Sequence, residues 1–114
     1  MIVVLARDLI IATRISSAAE RAGQPVMRVD APAELPDPSN VGLLFVDWGA
    51  REPDWGAAIG SWRGSDDEAG APPIVLFGPH TDLGAHAEAR AAGLGPMMAR
   101  SRLVGQLEEL VSRR

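Results

Sequence analysis

The chain has 114 residues, 11 basic against 15 acidic side chains, a formal net charge of −4, and 46% apolar against 23% charged residues. That composition fits one globular domain spanning 1–114, large enough to need no covalent or metal staple. An acidic chain with no basic arm is not expected to bind nucleic acid or an anionic membrane.

What is missing from the composition narrows the chemistry further. There is no cysteine, which removes disulfides, thiolate nucleophiles and cysteine-based metal sites. There is no lysine, since every basic residue is arginine, which removes Schiff bases and a P-loop lysine. His80 and His86 are the only histidines, too few for a His-rich metal site, so no metal and no cofactor is expected. Met1 leads straight into Ile2-Val3-Val4-Leu5 without a basic leader, and no apolar run approaches the ~20 residues of a membrane span. The expectation is a soluble, cytoplasmic protein.

Ile2 to Ala6, apolar and β-branched, predicts a strand buried on both faces. Asp8 can cap the helix that follows, whose inner stripe is Ile11, Ile15, Ala18, Ala19 and Ala22; Gly23 and Pro25 stop it. Pro25 to Val29 is a second, more polar strand suited to a sheet edge. Pro32, Pro36 and Pro38 leave room for only a stub of helix or an extended loop over Asp30 to Asn40.

Val41 to Val46 is the most hydrophobic strand and so predicted to be central, with Asp47 at its end. Trp55, Ala58, Ile59 and Trp62 then repeat at helical spacing behind Asp54 as N-cap, although Gly56 and Gly60 weaken that helix. Arg63 to Ala71 reads as a flexible acidic loop. Pro72 to Gly78 is the fourth strand. Thr81 or Asp82 caps a helix running to Ala92, with Leu83, Ala87, Arg90 and Ala91 as its inner stripe and Gly93 closing it. Gly95 to Ala99 is a fifth strand, and Ser101 opens a last helix with Leu103, Leu107, Leu110 and Val111 on its apolar face.

Five strands alternating with helices predict an α/β, three-layer α/β/α domain. Its sheet is five-stranded and parallel, of flavodoxin-like order 2-1-3-4-5, with a reduced second helix. Functional groups in such a fold lie beyond the carboxyl ends of the strands. That rule selects Arg7, Asp8, Asp47, His80 and Arg100 by position.

Asp47, directly after V-G-L-L-F-V in a (βα)₅ pattern covering nearly the whole chain, resembles the phospho-accepting aspartate of bacterial response-regulator receiver domains. In that family an acidic pair after the first strand binds Mg²⁺, a Ser or Thr ends the fourth strand and a Lys ends the fifth. Here Ala6-Arg7-Asp8 keeps one carboxylate and adds a cation, Gly78 stands at the hydroxyl position, and Arg100 stands where the lysine belongs. Met97 and Met98 replace the aromatic switch, and Ser101 the proline that usually follows. Mg²⁺ requires near-octahedral oxygen ligation, which Asp47 and Asp8 supply poorly, and an arginine could instead fork onto Asp47. The resemblance therefore implies a degenerate receiver, a pseudo-receiver acting by protein contact, without catalysis. It also implies a protein partner, with a homodimer through the last strand and the last helix, whose tail is Arg113-Arg114.

Each residue has a plainer reading beside this one. Asp47 can cap backbone N–H groups of its loop, Asp8 can be only an N-cap, and Arg100 can be a structural partner of either carboxylate. Trp48 can lie over the mouth of the site or in an exposed patch, whereas Trp55 and Trp62 are expected in the core. His80, before a helix N-terminus, could serve as base, metal ligand or hydrogen-bond donor near Asp47, or merely satisfy its loop. His86 is expected at the surface or in packing. The alternative function is accordingly a small-ligand, anion or metal-binding domain built on Asp47, His80 and Arg100. A hydrolase lacks its G-x-S-x-G elbow, a dinucleotide enzyme its glycine-rich turn after the first strand, and a cobalamin protein its lower-ligand histidine.

Overall fold

The computed structural model describes residues 1–64 and 71–112. The acidic stretch within Arg63 to Ala71 and the Arg113-Arg114 tail therefore lie outside the described residues, apart from Arg63, Gly64 and Ala71. Five strands form one all-parallel sheet in the order β2-β1-β3-β4-β5: β1 (Ile2–Leu5), β2 (Val26–Val29), β3 (Leu43–Asp47), β4 (Ile74–Gly78) and β5 (Met97–Ala99). Four α-helices, α1 (Leu9–Arg21), α2 (Trp55–Arg63), α3 (Leu83–Ala91) and α4 (Arg100–Ser112), cover its faces. This is the flavodoxin-like arrangement.

The β2-to-β3 crossover carries no α-helix. Only two 3₁₀ turns, Pro32–Glu34 and Pro38–Asn40, occupy it, as the spacing of its prolines requires. Trp62 on α2 fastens this crossover by donating its indole N–H to the Pro36 carbonyl at 2.7 Å.

Side chains alternate across the sheet and build two cores. Ile2, Val4, Phe45 and Phe77 face α1 and α4, where they meet Ile11, Ile15, Leu103 and Val111. Val3, Leu5, Leu44, Val46 and Leu76 face α2 and α3 with Trp48, Trp55, Ile59, Ala85 and Ala89. Burying every β1 residue on both faces accounts for its unbroken aliphatic sequence.

Two helices end in the same way. Gly23 and Gly93 take positive φ after α1 and α3, and the next residues, Gln24 and Leu94, donate back to Ala19 and Ala89. Each is a Schellman turn, which satisfies carbonyls that the helix end would orphan.

Three expectations about the helices are corrected. Leu83, Ala87, Arg90 and Ala91 are exposed, and α3 packs instead through Ala85 and Ala89. Leu83 is the largest apolar residue of that stripe yet is exposed, while Ala85 and Ala89 pack in the same core as the Trp48 indole, which donates to the Ala85 carbonyl. Asp54 makes no side-chain cap to α2 and sits in helical geometry itself, whereas Asp82 does cap α3 by accepting from the Ala85 N–H at 3.0 Å. The last helix begins at Arg100, one residue before Ser101.

Candidate functional site

Asp47 ends β3, in register with Phe77 of β4. Alternation along Leu43, Phe45 and Asp47 turns its side chain to the α1/α4 face, where it is only 3% exposed and the single buried charged residue among the described residues. Two elements reach it. Asp8, after β1, caps α1 by accepting from the Ile10 N–H at 2.9 Å through Oδ1. Arg100 opens α4 directly behind β5 and divides its guanidinium: Nη2 donates to Asp47 Oδ2 at 3.0 Å and Nη1 to Asp8 Oδ2 at 3.2 Å. The same guanidinium lies over the Phe77 ring, 5.8 Å from its centroid.

The fork of Arg100 thus does not close on Asp47 alone. It bridges two carboxylates that stand 53 and 92 residues away in the chain. Asp8 is at once the N-cap of α1 and a partner of Arg100, so it does more than cap, and Arg100 pairs with both carboxylates.

The electrostatics of the two acids differ in sign. Burial raises the Asp47 pKa above the ordinary aspartate value; Arg100 opposes this without cancelling it, and the charge on Asp8 adds to the rise. Asp8 is held below its usual range, chiefly by the Ile10 N–H and then by Arg100. One cation between two anions leaves the cluster at −1 when both carboxylates are ionised.

Above the cluster lies an open cavity of about 400 Å³ lined by Asp8, Asp47, Gly49, Ala50, Pro79 and Arg100. Gly78 borders this region only through backbone. A Cβ built on it would stand 2.9 Å from Gly49 N and 2.9 Å from Met97 Sδ, so a Ser or Thr hydroxyl has no room there. Gly49 is the residue the sequence did not reveal. The loop after β3 lays it between Gly78 and Pro79, and its own Cβ would meet Pro79 Cδ at 2.8 Å. The Asp-Trp-Gly order was its only signal.

Three of the expected residues do not join the cluster. Trp48 is 1% exposed and belongs to the α2/α3 core, where its indole N–H donates to the Ala85 carbonyl at 2.9 Å, so it neither roofs the site nor forms an exposed patch. Arg7 turns away: its Nε donates to the Asp30 carbonyl at 3.1 Å, it pairs with Glu52 at 3.5 Å, and it lies over the Trp55 ring. His80 is exposed and does not line the cavity over Asp47, while its carbonyl is joined to the His86 ring Nε2 at 2.8 Å. A second opening, about 780 Å³ between α2 and α3, lies on the opposite face of the sheet, with Trp48, Gly56, Gly60 and Ala92 in its wall. Its charged groups are paired, Arg51 with Glu88 and Glu52 with Arg7.

Among the described residues no group of three or more His, Cys, Asp or Glu side chains is placed to hold a metal ion. Among the described residues no helix is long and apolar enough to cross a membrane. Compared with known proteins, the chain matches no family model, no curated protein and no solved structure.

Proposed function

We propose that this chain is a pseudo-receiver: a non-catalytic, receiver-like module that signals through protein contact and does not take up phosphate through Mg²⁺. The observation that carries the reading is the Arg100 guanidinium set across Asp8 and Asp47 at the carboxyl rim of the sheet. Phosphoryl transfer to a carboxylate needs an approachable oxygen and concentrated positive charge, normally a metal, on the transferring group. Here Asp47 Oδ2 is bound by a guanidinium, which puts a fixed cation on the carboxylate that would have to attack. Gly49 packed on Gly78 supports the reading too, since a hydroxyl that would follow an incoming phosphoryl group cannot be accommodated.

A cytoplasmic setting, a protein partner and a homodimer through β5 and α4 belong to the same proposal. The ligand-binding alternative is weaker, because His80 stands apart and both terminal nitrogens of Arg100 are already engaged. The test is incubation with acetyl phosphate and Mg²⁺ at neutral pH, read by intact mass. The expected product is the unmodified chain. A phosphoryl adduct that disappears in Asp47→Asn would return the protein to the ordinary receivers.

A further inference from the structure

Asp8 and Arg100 line two cavities at once. One is the space over Asp47; the other, about 390 Å³, lies between α1 and α4 and is completed by Ile10, Ile11, Arg14, Ser101 and Val104. The ion pair between them, 3.2 Å long, is the shared wall. Arg100 holds that position by two anchors of unequal kind: an Asp8 whose side chain is 37% exposed and an Asp47 whose side chain is 4% exposed.

We propose that Arg100 is a proton-operated switch: when Asp47 takes up a proton, the guanidinium lets go of Asp47 and keeps Asp8. This rests on reading Arg100 as the resident cation of the site, and it adds a means of regulating it.

The charge balance drives the movement. With both acids ionised the cluster carries −1 in a place where Asp47 is withdrawn from water, and one solvent proton on the Asp47 carboxylate brings it to zero. Asp8 stays charged through that step, because the Ile10 N–H and Arg100 hold its proton affinity low while burial raises that of Asp47.

The surrounding groups do not substitute for either partner. From the β1–α1 segment, Arg7 is committed to Asp30 and Glu52. From the β3–α2 loop, Arg51 is committed to Glu88, and the Ala50 N–H is the remaining polar group that favours the ionised Asp47. From the β4–α3 loop, Asp82 caps α3 and His80 is exposed away from the cavity. On α1, Arg14 lines the second cavity and offers no acceptor to Arg100.

The experiment is an NMR titration of the isotope-labelled full chain from about pH 7.5 to about pH 2, low enough to reach the Asp8 step. It follows the Asp8 and Asp47 carboxyl carbons together with the Arg100 side-chain nitrogens. Asp47 should titrate before Asp8, with the Arg100 signals shifting in the Asp47 step. In Asp47→Asn, Arg100 should show its acid-form signals already at neutral pH and lose that pH response. Arg100 signals that track Asp8 alone, or that stay still through the Asp47 step, overturn the proposal. Should the Asp47→Asn chain fail to fold, the wild-type titration decides by itself. Failure here leaves the phosphodonor result at neutral pH standing, and a phosphoryl adduct there defeats the pseudo-receiver reading whatever the titration shows.

Discussion

Placing a hydroxyl at the end of β4 should damage the fold. In Gly78→Ser the new Cβ starts 2.9 Å from Gly49 N, 3.2 Å from Gly49 Cα and 2.9 Å from Met97 Sδ. Unstrained contacts between such atoms fall at about 3.5–4.0 Å, so the neighbours must retreat by roughly half an ångström or more. The Met97 thioether can turn aside. Gly49 cannot, because Pro79 closes on it from the other side, 2.8 Å from where its own Cβ would be. Overpacking of this kind costs about 1–3 kcal/mol, to which a buried hydroxyl without a partner adds about 1–3 kcal/mol. For a domain of this size each kcal/mol lowers Tm by roughly 4–6 °C. Thermal and urea unfolding followed by far-UV circular dichroism would measure it, with Gly78→Ala isolating the Cβ from the hydroxyl. Gly105→Ala serves as the control: nothing lies within 4 Å of its Cβ position in the middle of α4, and it should gain about 0.5–1 kcal/mol. If Gly78→Ala and Gly78→Ser unfold with the wild type, the close approach of Gly49 is not a constraint and the steric part of the argument is wrong.

Asp47→Asn should be more stable than wild type at neutral pH. The folded-state pKa of Asp47 is raised, so its contribution to stability is complete below the unfolded value and is lost as pH rises through the folded one. The advantage of the asparagine should therefore shrink toward zero as urea unfolding is repeated nearer pH ~4; an advantage that grows on acidification would contradict the assigned direction. Trp48→Phe should lose about 2–4 kcal/mol in the same assay, since it deletes the N–H that serves the buried Ala85 carbonyl and leaves space beneath α3. A change under half a kcal/mol would place the indole outside the core. Gly60→Ala, whose nearest neighbour would be 3.8 Å away, should stabilise α2 by about 0.5–1 kcal/mol. Gly56→Ala, 3.1 Å from Ala92 Cβ, should gain less or lose, and equal gains at both would refute close packing of α2 on Ala92.

The strand order and the two cores follow from signals the sequence states locally. β1 is apolar throughout because both of its faces are covered, and the crossover lacks a helix because three prolines forbid one. Pairing is what sequence reading cannot supply. Asp8, Asp47 and Arg100 each stood out by position, yet whether the guanidinium would close on one carboxylate or span two depends on where β5 releases α4 relative to β1. That is a distance across the sheet, and no local pattern encodes it. The misread stripe of α3 has the same origin. Leu83 outranks Ala85 in hydrophobicity, yet Ala85 is the one buried, in contact with an indole that comes from 37 residues earlier.

On the pseudo-receiver proposal, the rim is a set of replacements rather than a set of losses. Where a receiver's hydroxyl would stand, backbone from Gly49 fills the volume, and the fit requires glycine on both sides. Where a mobile dication would sit, a side chain anchored at the start of α4 supplies the positive charge. A tethered guanidinium cannot diffuse away, so the resting site needs no ion from solution; but it brings one charge where Mg²⁺ brings two, and the deficit falls on the buried Asp47. Asp47, buried and in excess, is consequently the one group at this rim whose ionisation is set by the fold against its own solvation. On the same proposal, a signal carried through this edge acts on that imbalance, by adding a proton, by displacing Arg100, or by a partner that changes how much water reaches the end of β3.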